Sequence, residues 1–307
     1  MKHYSVLQKE LIDGLNINPD GIYVDATLGY AGDSKEILRE LKRGFLFAFD
    51  QDKDAINYGD KELSKISKNY KIIYSNFRNL KAKLKEEGID LIDGIIFDLG
   101  LSSPQIDETD RGFSFQKDAI LDMRMDQNNP LTALEVVNNY SYEDLVRIFY
   151  QYGEEDFAKP IAKEIVNRRS KKEIKTTMEL ANIIKDATPT KYFIKNHPER
   201  KIFQAIRIEV NDELNSIEEA LNDAIKMLKV GGRICVISFH SLEDRITKNI
   251  FKENSEINPL VKGLPVIPDE YKPNLKLINK KPILPSDREI NENSRSKSAK
   301  LRIAERI

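Results

Sequence analysis

Apolar and polar positions along the first hundred residues alternate between two periods. Tyr23-Val24-Asp25 is a short apolar run that enters a glycine turn. Phe45–Phe49 is a continuous apolar run, the pattern of a strand covered on both faces. Lys71–Tyr74 and Gly94–Phe97 repeat the strand signal. Between these runs the spacing becomes helical: Ser34–Leu41 places Ile37, Leu38 and Leu41 on one face. Asp54–Ile66 reads as a second helix interrupted near Gly59, and Leu80–Glu87 as a lysine-rich third. Strands and helices in strict turn predict a parallel sheet with helices on both faces.

The alternation stops after Asp98. Residues from about 107 to 203 carry helical spacing without a clear strand: Tyr142–Tyr150, Phe157–Val166 and Met178–Ile184. Ala205–Leu228 then reads as mostly helical, with Ile217, Ala220, Leu221, Ala224 and Leu228 on one face and Gly231-Gly232 as its end. Arg233–Phe239 is a fifth strand and Leu242–Phe251 a further helix. A proline-rich stretch follows, holding one short strand at Leu275–Ile278, and Lys300–Ala304 is a last one. The pattern predicts a doubly wound α/β domain made of residues 1–106 and 204–307, interrupted by a helical insertion over 107–203.

Composition narrows the classes. One Cys and three His exclude a disulfide framework and a Cys/His-rich structural zinc site, and the lone thiol suits a reducing compartment. No apolar run approaches the ~20 residues of a membrane span. The N-terminus lacks the apolar core of a signal peptide, so the expected location is cytoplasmic. With 49 basic and 50 acidic residues the net charge is −1, and any nucleic-acid contact has to come from local patches. Residues 107–156 hold 12 acidic and four basic side chains, residues 157–203 five and 12, and residues 293–307 one and five. The two basic segments suit phosphate contacts, although charge alone favours a solvated helix face.

In an open parallel sheet, ligands collect beyond the carboxyl ends of the strands. The first strand ends in Asp25-Ala-Thr-Leu-Gly29-Tyr-Ala31-Gly32-Asp33-Ser34, where two glycines three apart allow a tight turn and a helix N-terminus follows. The second ends at Asp50, placed to accept hydrogen bonds from ribose hydroxyls. Phe77, after the third, can lie against a base, and the fourth ends at Asp98. A dinucleotide calls for Gly-x-Gly-x-x-Gly, which is absent. S-adenosylmethionine (SAM) carries no phosphate and tolerates a looser turn. Asp25 or Asp33 can pair with its ammonium, and the helix N-terminus can accept its carboxylate.

These strings, with others downstream, resemble the bacterial 16S rRNA cytosine-N4 methyltransferases, the RsmH or MraW family. The likeness covers nearly the whole chain. It rests on Asp25-Ala-Thr-Leu-Gly29, Asp98-Leu-Gly-Leu-Ser-Ser-Pro-Gln105, Arg111-Gly-Phe-Ser-Phe115, Leu121-Asp-Met-Arg-Met-Asp126 and Tyr152-Gly-Glu-Glu155. It continues through His197-Pro, Phe203-Gln-Ala-Ile-Arg-Ile208, Asn211-Asp-Glu-Leu214 and Ser238-Phe-His-Ser-Leu-Glu-Asp-Arg245, and closes at Ser296–Arg302. The resemblance implies a class I SAM-methyltransferase fold, Rossmann-like, with an inserted helical substrate-recognition domain. It implies SAM-dependent N4-methylation of a cytosine in the decoding region of 16S rRNA, in the small ribosomal subunit, and leaves a homodimer open. The cofactor contacts it implies fall on Gly29, Ala31, Gly32, Asp33, Asp50, Phe77, Asp98 and Gln105. The family usually has Gly-Gly-His-Ser where this chain has Ala31-Gly32-Asp33-Ser34; Ala31 tolerates positive φ poorly, and the turn is expected to survive.

The chemistry asks for alignment of N4, methyl carbon and sulfur, and for an acceptor of the amine proton. Asp98 and the loop after it, with Ser102, are the candidates; Asp98 serves equally well as a cofactor ligand alone. His240 is a candidate substrate contact, with Ser241 the expected N-cap of the next helix. Methylation at cytosine C5 would need a thiolate, and Cys235 sits inside an apolar strand. Asp122 and Asp126 flank Arg124, a ready partner, and no metal is expected. Phe113 and Phe115 can stack an extruded base or form the hinge core between sheet and insertion, the latter favoured. His197 reads as a loop residue. Two rival functions stand beside methyl transfer: a binding protein of the same fold without turnover, and a nicotinamide-dependent oxidoreductase, disfavoured by the missing glycine.

Overall fold

The computed structural model describes residues 5–101, 111–257, 261, 263–268 and 271–307. The chain divides into two compact units, Met1–Gly100 with Leu214–Ile307, and Leu101–Glu213. In chain order the elements are α1 (Gln8–Leu15), β1 (Ile22–Asp25), α2 (Gly32–Glu40), β2 (Phe45–Asp50), α3 (Lys53–Leu63), β3 (Tyr70–Tyr74), α4 (Leu80–Glu86) and β4 (Ile92–Asp98). Among the described residues six helices follow: α5 (Ala133–Asn139), α6 (Tyr142–Gln151), α7 (Ala158–Arg169), α8 (Thr177–Asp186), α9 (Thr190–Asn196) and α10 (Pro198–Asn211). Then come α11 (Glu213–Met227), β5 (Leu228–Ser238), α12 (Ser241–Ser255), β6 (Leu275–Leu277), α13 (Asp287–Glu292) and β7 (Lys300–Arg306).

The sheet runs in the order β3-β2-β1-β4-β5-β7-β6. The first five strands pair in parallel, and β7 runs antiparallel between β5 and β6. Side chains alternate between two cores, which is why these strands read as unbroken apolar runs. Val24, Phe47, Phe49, Ile95, Phe97, Ile234 and Val236 face a core completed by Leu80 and Leu84 of α4, Leu221 and Ile225 of α11, and Phe251 of α12. Tyr23, Leu46, Ala48, Ile96, Cys235 and Ile237 face another, completed by Leu11 and Leu15 of α1 and Ile37 and Leu38 of α2. The order reverses at β1 and β4, the switch point at which such sheets open a crevice beyond their carboxyl ends.

Several elements depart from the sequence expectation for identifiable reasons. α3 runs through Gly59 without a break, because Leu28 presses onto the glycine where a Cβ would lie 2.8 Å from its Cδ2. The helix expected over Ala205–Leu228 is two helices: α10 starts at Pro198, and Asp212, with φ 48°, ends it. Gly231 and Gly232 lie inside β5 rather than before it; the pairing with β4 shifts register between Ile92 and Gly94, and a Cβ on Gly232 would meet Asp93 O at 2.9 Å. Residues 101–213, not 107–203, form the helical unit, because α10 turns Ile202, Phe203, Ala205, Ile206 and Val210 into its core with Leu145, Ile148, Phe149, Ile161 and Ile165.

Within that unit Asn211 organises a loop far away in sequence. Its Oδ1 accepts from the Met125 backbone N–H at 2.7 Å, and its Nδ2 donates to Met123 O and Arg207 O, both at 2.8 Å. Gly112, with φ 70°, passes so close to Ile120 O that a Cβ would collide with it. The fully buried Glu155 accepts from Tyr192 Oη at 2.6 Å and Phe157 N at 2.9 Å, and faces Lys201 Nζ at 3.3 Å. No helix among the described residues is long and apolar enough to cross a membrane.

Candidate active site

The carboxyl ends of β1, β2 and β4 and the first turn of α2 bring four carboxyl groups together on the sheet unit. Asp25 closes β1; its Oδ2 accepts from Ser34 Oγ at 2.6 Å and its Oδ1 from Thr27 N at 3.0 Å. Thr27 Oγ1 in turn accepts from the Asp98 backbone N–H at 2.7 Å, so one hydroxyl ties the ends of β1 and β4. The turn between β1 and α2 is left-handed at Gly29 (φ 47°) and at Ala31 (φ 57°). The turn survives an alanine at this position, with Ala31 fully buried as the N-cap residue of α2. Gly32 begins the helix where a Cβ would collide with Ser5 Oγ. Asp50 Oδ2 accepts from Gly29 N at 2.9 Å and Oδ1 from Asp52 N at 2.8 Å, fastening the end of β2 to the turn.

Burial pushes the Asp33 carboxyl up to about 7, and the neighbouring Asp25 charge adds to the rise against hydrogen bonds from Gln8 and Ser5. Asp50 is pushed up to about 6 by burial, opposed by the Asp52 and Gly29 backbone N–H groups. Asp98 is raised well above the carboxylate range by burial and then by Asp33, Asp25 and Glu243. Burial raises Asp25 as well, against its bonds from Ser34 and Thr27. The partners of these acids are hydroxyls, an amide and backbone N–H groups; no lysine or arginine among the described residues pairs with them. Asp98 Oδ1 is out of solvent with no hydrogen-bond partner among the described residues.

Buried carboxyl groups without a counter-charge complement a cationic ligand. The residues fit SAM on that ground: an ammonium and a sulfonium for the acids, the free N–H groups of α2 for a carboxylate, and Asp50 for ribose hydroxyls. Phe77 lies partly buried after β3, edge-on to Phe97 with centroids 5.8 Å apart. Ser102 and Gln105 lie outside the described residues.

His240 follows β5 and is the N-cap residue of α12, the place expected for Ser241, which is the first helical residue instead. Glu243 explains the shift. It is buried, its Oε2 accepts from the N–H groups of Phe239 at 2.8 Å and His240 at 3.2 Å, and its Oε1 lies 3.0 Å from His240 Nε2. One turn on, Asp244 holds Arg302 Nε at 2.7 Å and Lys300 Nζ at 3.1 Å, joining two of the motifs read from sequence. Cys235 is fully buried in β5, and burial pushes its thiol up to about 12.

The remaining candidates take local roles in the helical unit. Arg124 forms a fork onto Asp122 at 2.7 and 2.8 Å and also donates to Gln127 O and Asn129 O. Phe113 belongs to the core of the unit, and Phe115 packs edge-on against Phe203 with centroids 5.1 Å apart. His197 joins α9 to α10 at φ 49° and sets its Nδ1 3.1 Å from Glu199. Sequence reasoning missed Thr27, Ser34 and Gln8 as supports of the acids. The first two stand within two and nine residues of Asp25, whereas Gln8 reaches Asp33 across 25 residues and leaves no sequence signal.

The family pattern of the MraW methylases matches residues 1–307, the whole chain. The chain belongs to that family. It is accordingly a methyltransferase, on a mixed seven-stranded α/β sheet, and the methyl donor expected of an MraW methylase is SAM. Solved structures similar to the chain include an rRNA methylase from Streptococcus thermophilus, 14% identical, with a TM-score of 0.42, covering 98% of this chain and 93% of that one. A Streptococcus mutans protein solved in complex with SAH is 13% identical, with a TM-score of 0.43 over 98% and 95% of the two chains. The N-methyltransferase NodS from Bradyrhizobium japonicum WM9 is 8% identical, with a TM-score of 0.42 over 97% and 93%. Membership rests on the whole-chain match.

Proposed function

We propose that this MraW methylase transfers the methyl group of SAM to the N4 amine of a cytosine in the decoding region of 16S rRNA, within the small ribosomal subunit. The family match over the whole chain carries this reading, and the uncompensated acids at the strand ends support it. SAM supplies a methyl group on an activated sulfonium when bound. Asp25, Asp33 and Asp98 hold its cationic end, Asp50 its ribose, and Phe77 and Gln105 complete the adenosyl contacts. Asp98 and Ser102 are the candidates to accept the amine proton, a role in which an acceptor gains strength as positive charge develops on nitrogen. His240, fixed by Glu243, contacts the substrate.

One observation favours an exocyclic amine over C5. The chain has one thiol, and Cys235 is buried with its proton held to about pH 12, so no thiolate is available to attack the ring. The helical unit supplies exposed cations for RNA. Lys159 and Lys163 lie four apart on α7, and Lys191 and Lys195 four apart on α9. Lys185 and Arg200 are also exposed. Phe157 against Tyr192, with centroids 4.3 Å apart, ties the start of α7 to α9. This unit is therefore assigned to substrate recognition.

The test is labelled-methyl transfer from SAM to assembled small subunits lacking the modification, followed by mass spectrometry of the 16S rRNA. A methyl on N4 of one decoding-region cytosine is expected. SAM binding without transfer to any rRNA would favour a binding protein of the same fold.

A further inference from the structure

We propose that Asp33 makes the cofactor pocket charge-selective, so that the cationic methyl donor is held and its neutral thioether product is let go. This rests on the cofactor reading above and goes beyond it, because it assigns a specificity role to one side chain.

Asp25, Asp33 and Asp98 stand at the ends of β1 and β4 and in the first turn of α2, with Thr27 joining the first to the last. No lysine or arginine among the described residues pairs with them, and Asp98 Oδ1 is buried without a partner. SAM brings two positive charges to such a cluster, the ammonium and the sulfonium. S-adenosylhomocysteine (SAH) brings only the ammonium. With SAH one more carboxyl group has to carry a proton, because buried anions without a counter-charge are costly.

Asp33 is placed to be that group. The charges acting on it are Asp25 on β1, Glu36 on its own helix and Asp98 on β4, all negative. Gln8 of α1 donates to it at 3.2 Å, and Ser5 also bonds to it. Burial together with these acids brings its protonation close to neutrality, at about 7. The proton therefore returns as the positive charge leaves, and at neutral pH the two ligands differ by one bound proton.

Calorimetric titration of the full-length protein with SAM and with SAH, from pH 6 to 8 in buffers of different ionisation enthalpy, tests this. SAM binding is expected to release more protons than SAH binding. The ratio of the two dissociation constants should then move in favour of SAM by up to about tenfold per pH unit. In Asp33→Asn, with a fold verified by circular dichroism, the ratio should become flat with pH. A wild-type ratio independent of pH overturns the proposal, and this measurement needs no variant to fold. A pH-dependent ratio that persists in Asp33→Asn overturns the assignment to Asp33. Failure to bind either ligand would instead defeat the cofactor reading itself.

Discussion

Single residues at the strand ends do two jobs, and the balance differs among them. Asp25 accepts from Ser34 and Thr27 and braces the turn, whereas Asp98 has an oxygen with no partner among the described residues and Asp33 is held by an amide from α1. Asp98 is thus the acid with capacity left for a ligand or an amine. Asp98→Asn keeps the shape and removes the charge. We expect methyl transfer to fall by at least tenfold in turnover at saturating SAM, measured as single-turnover transfer to assembled subunits. Unchanged turnover with weakened SAM binding would confine Asp98 to the cofactor. Glu243 shows how a neighbouring acid decides the conformation of a candidate group: by taking the N–H groups of Phe239 and His240, it puts the histidine rather than the serine at the start of α12.

Elements are joined by polar side chains where the apolar pattern is silent. Asn211, the last residue of α10, holds Met125 N–H and Met123 O of a loop more than 80 residues earlier. Met123 has φ 59° and is fully buried, so this loop has no regular ladder of its own to satisfy it. Asn211→Ala removes those hydrogen bonds inside the unit, at about 1–3 kcal/mol for each. A lowered melting temperature in thermal denaturation is the expected result, with SAM affinity in the sheet unit retained. The basic helices α7 and α9 carry a separate expectation. Replacing Lys159, Lys163, Lys191 and Lys195 by alanine should weaken binding to small subunits. It should also lower the slope of log affinity against log salt by roughly one unit for each phosphate no longer neutralised. Filter binding across a salt series reads both, and an unchanged slope would place the RNA elsewhere.

At the scale of the whole molecule, two sets of carboxyl groups set opposite pH windows. Asp33 and Asp50 keep their protons to about pH 7 and about pH 6 when folded; in an unfolded chain they ionise near ~4. The folded state binds more protons across that window, so their stabilisation is present below about pH 4 and is lost as the pH rises towards about 7. Asp122 and Asp244 behave in the reverse sense. Burial alone would raise them, but Arg124 on one and Arg302 with Lys300 on the other hold them low, so their contribution is lost on acidification. The cofactor-free protein should therefore melt highest near pH 5 and decline towards pH 8, and saturating SAM should remove most of that decline. Scanning calorimetry decides; a melting temperature that climbs from pH 5 to 8 contradicts uncompensated acids.

Much of this molecule was legible as a string, because strands covered on both faces must be apolar throughout and helices must repeat near 3.6 residues. β1 to β5, the helices over 34–41, 142–150 and 157–166, the strand-end acids and the family all follow from local spacing or from ordered motifs. Other features depend on what the chain meets after folding. α1 carries too few apolar residues to stand out, and is held where Gly14 lets Ile303 fill the space a Cβ would take. Gly59 sits unbroken in α3 because Leu28 needs the space, and α10 joins the helical unit because its apolar face finds that core. Proton affinities close to neutrality at Asp33 and Asp50 belong to the same class. Residue identity supplies the carboxyl groups; only the packed fold removes their water and sets them beside one another.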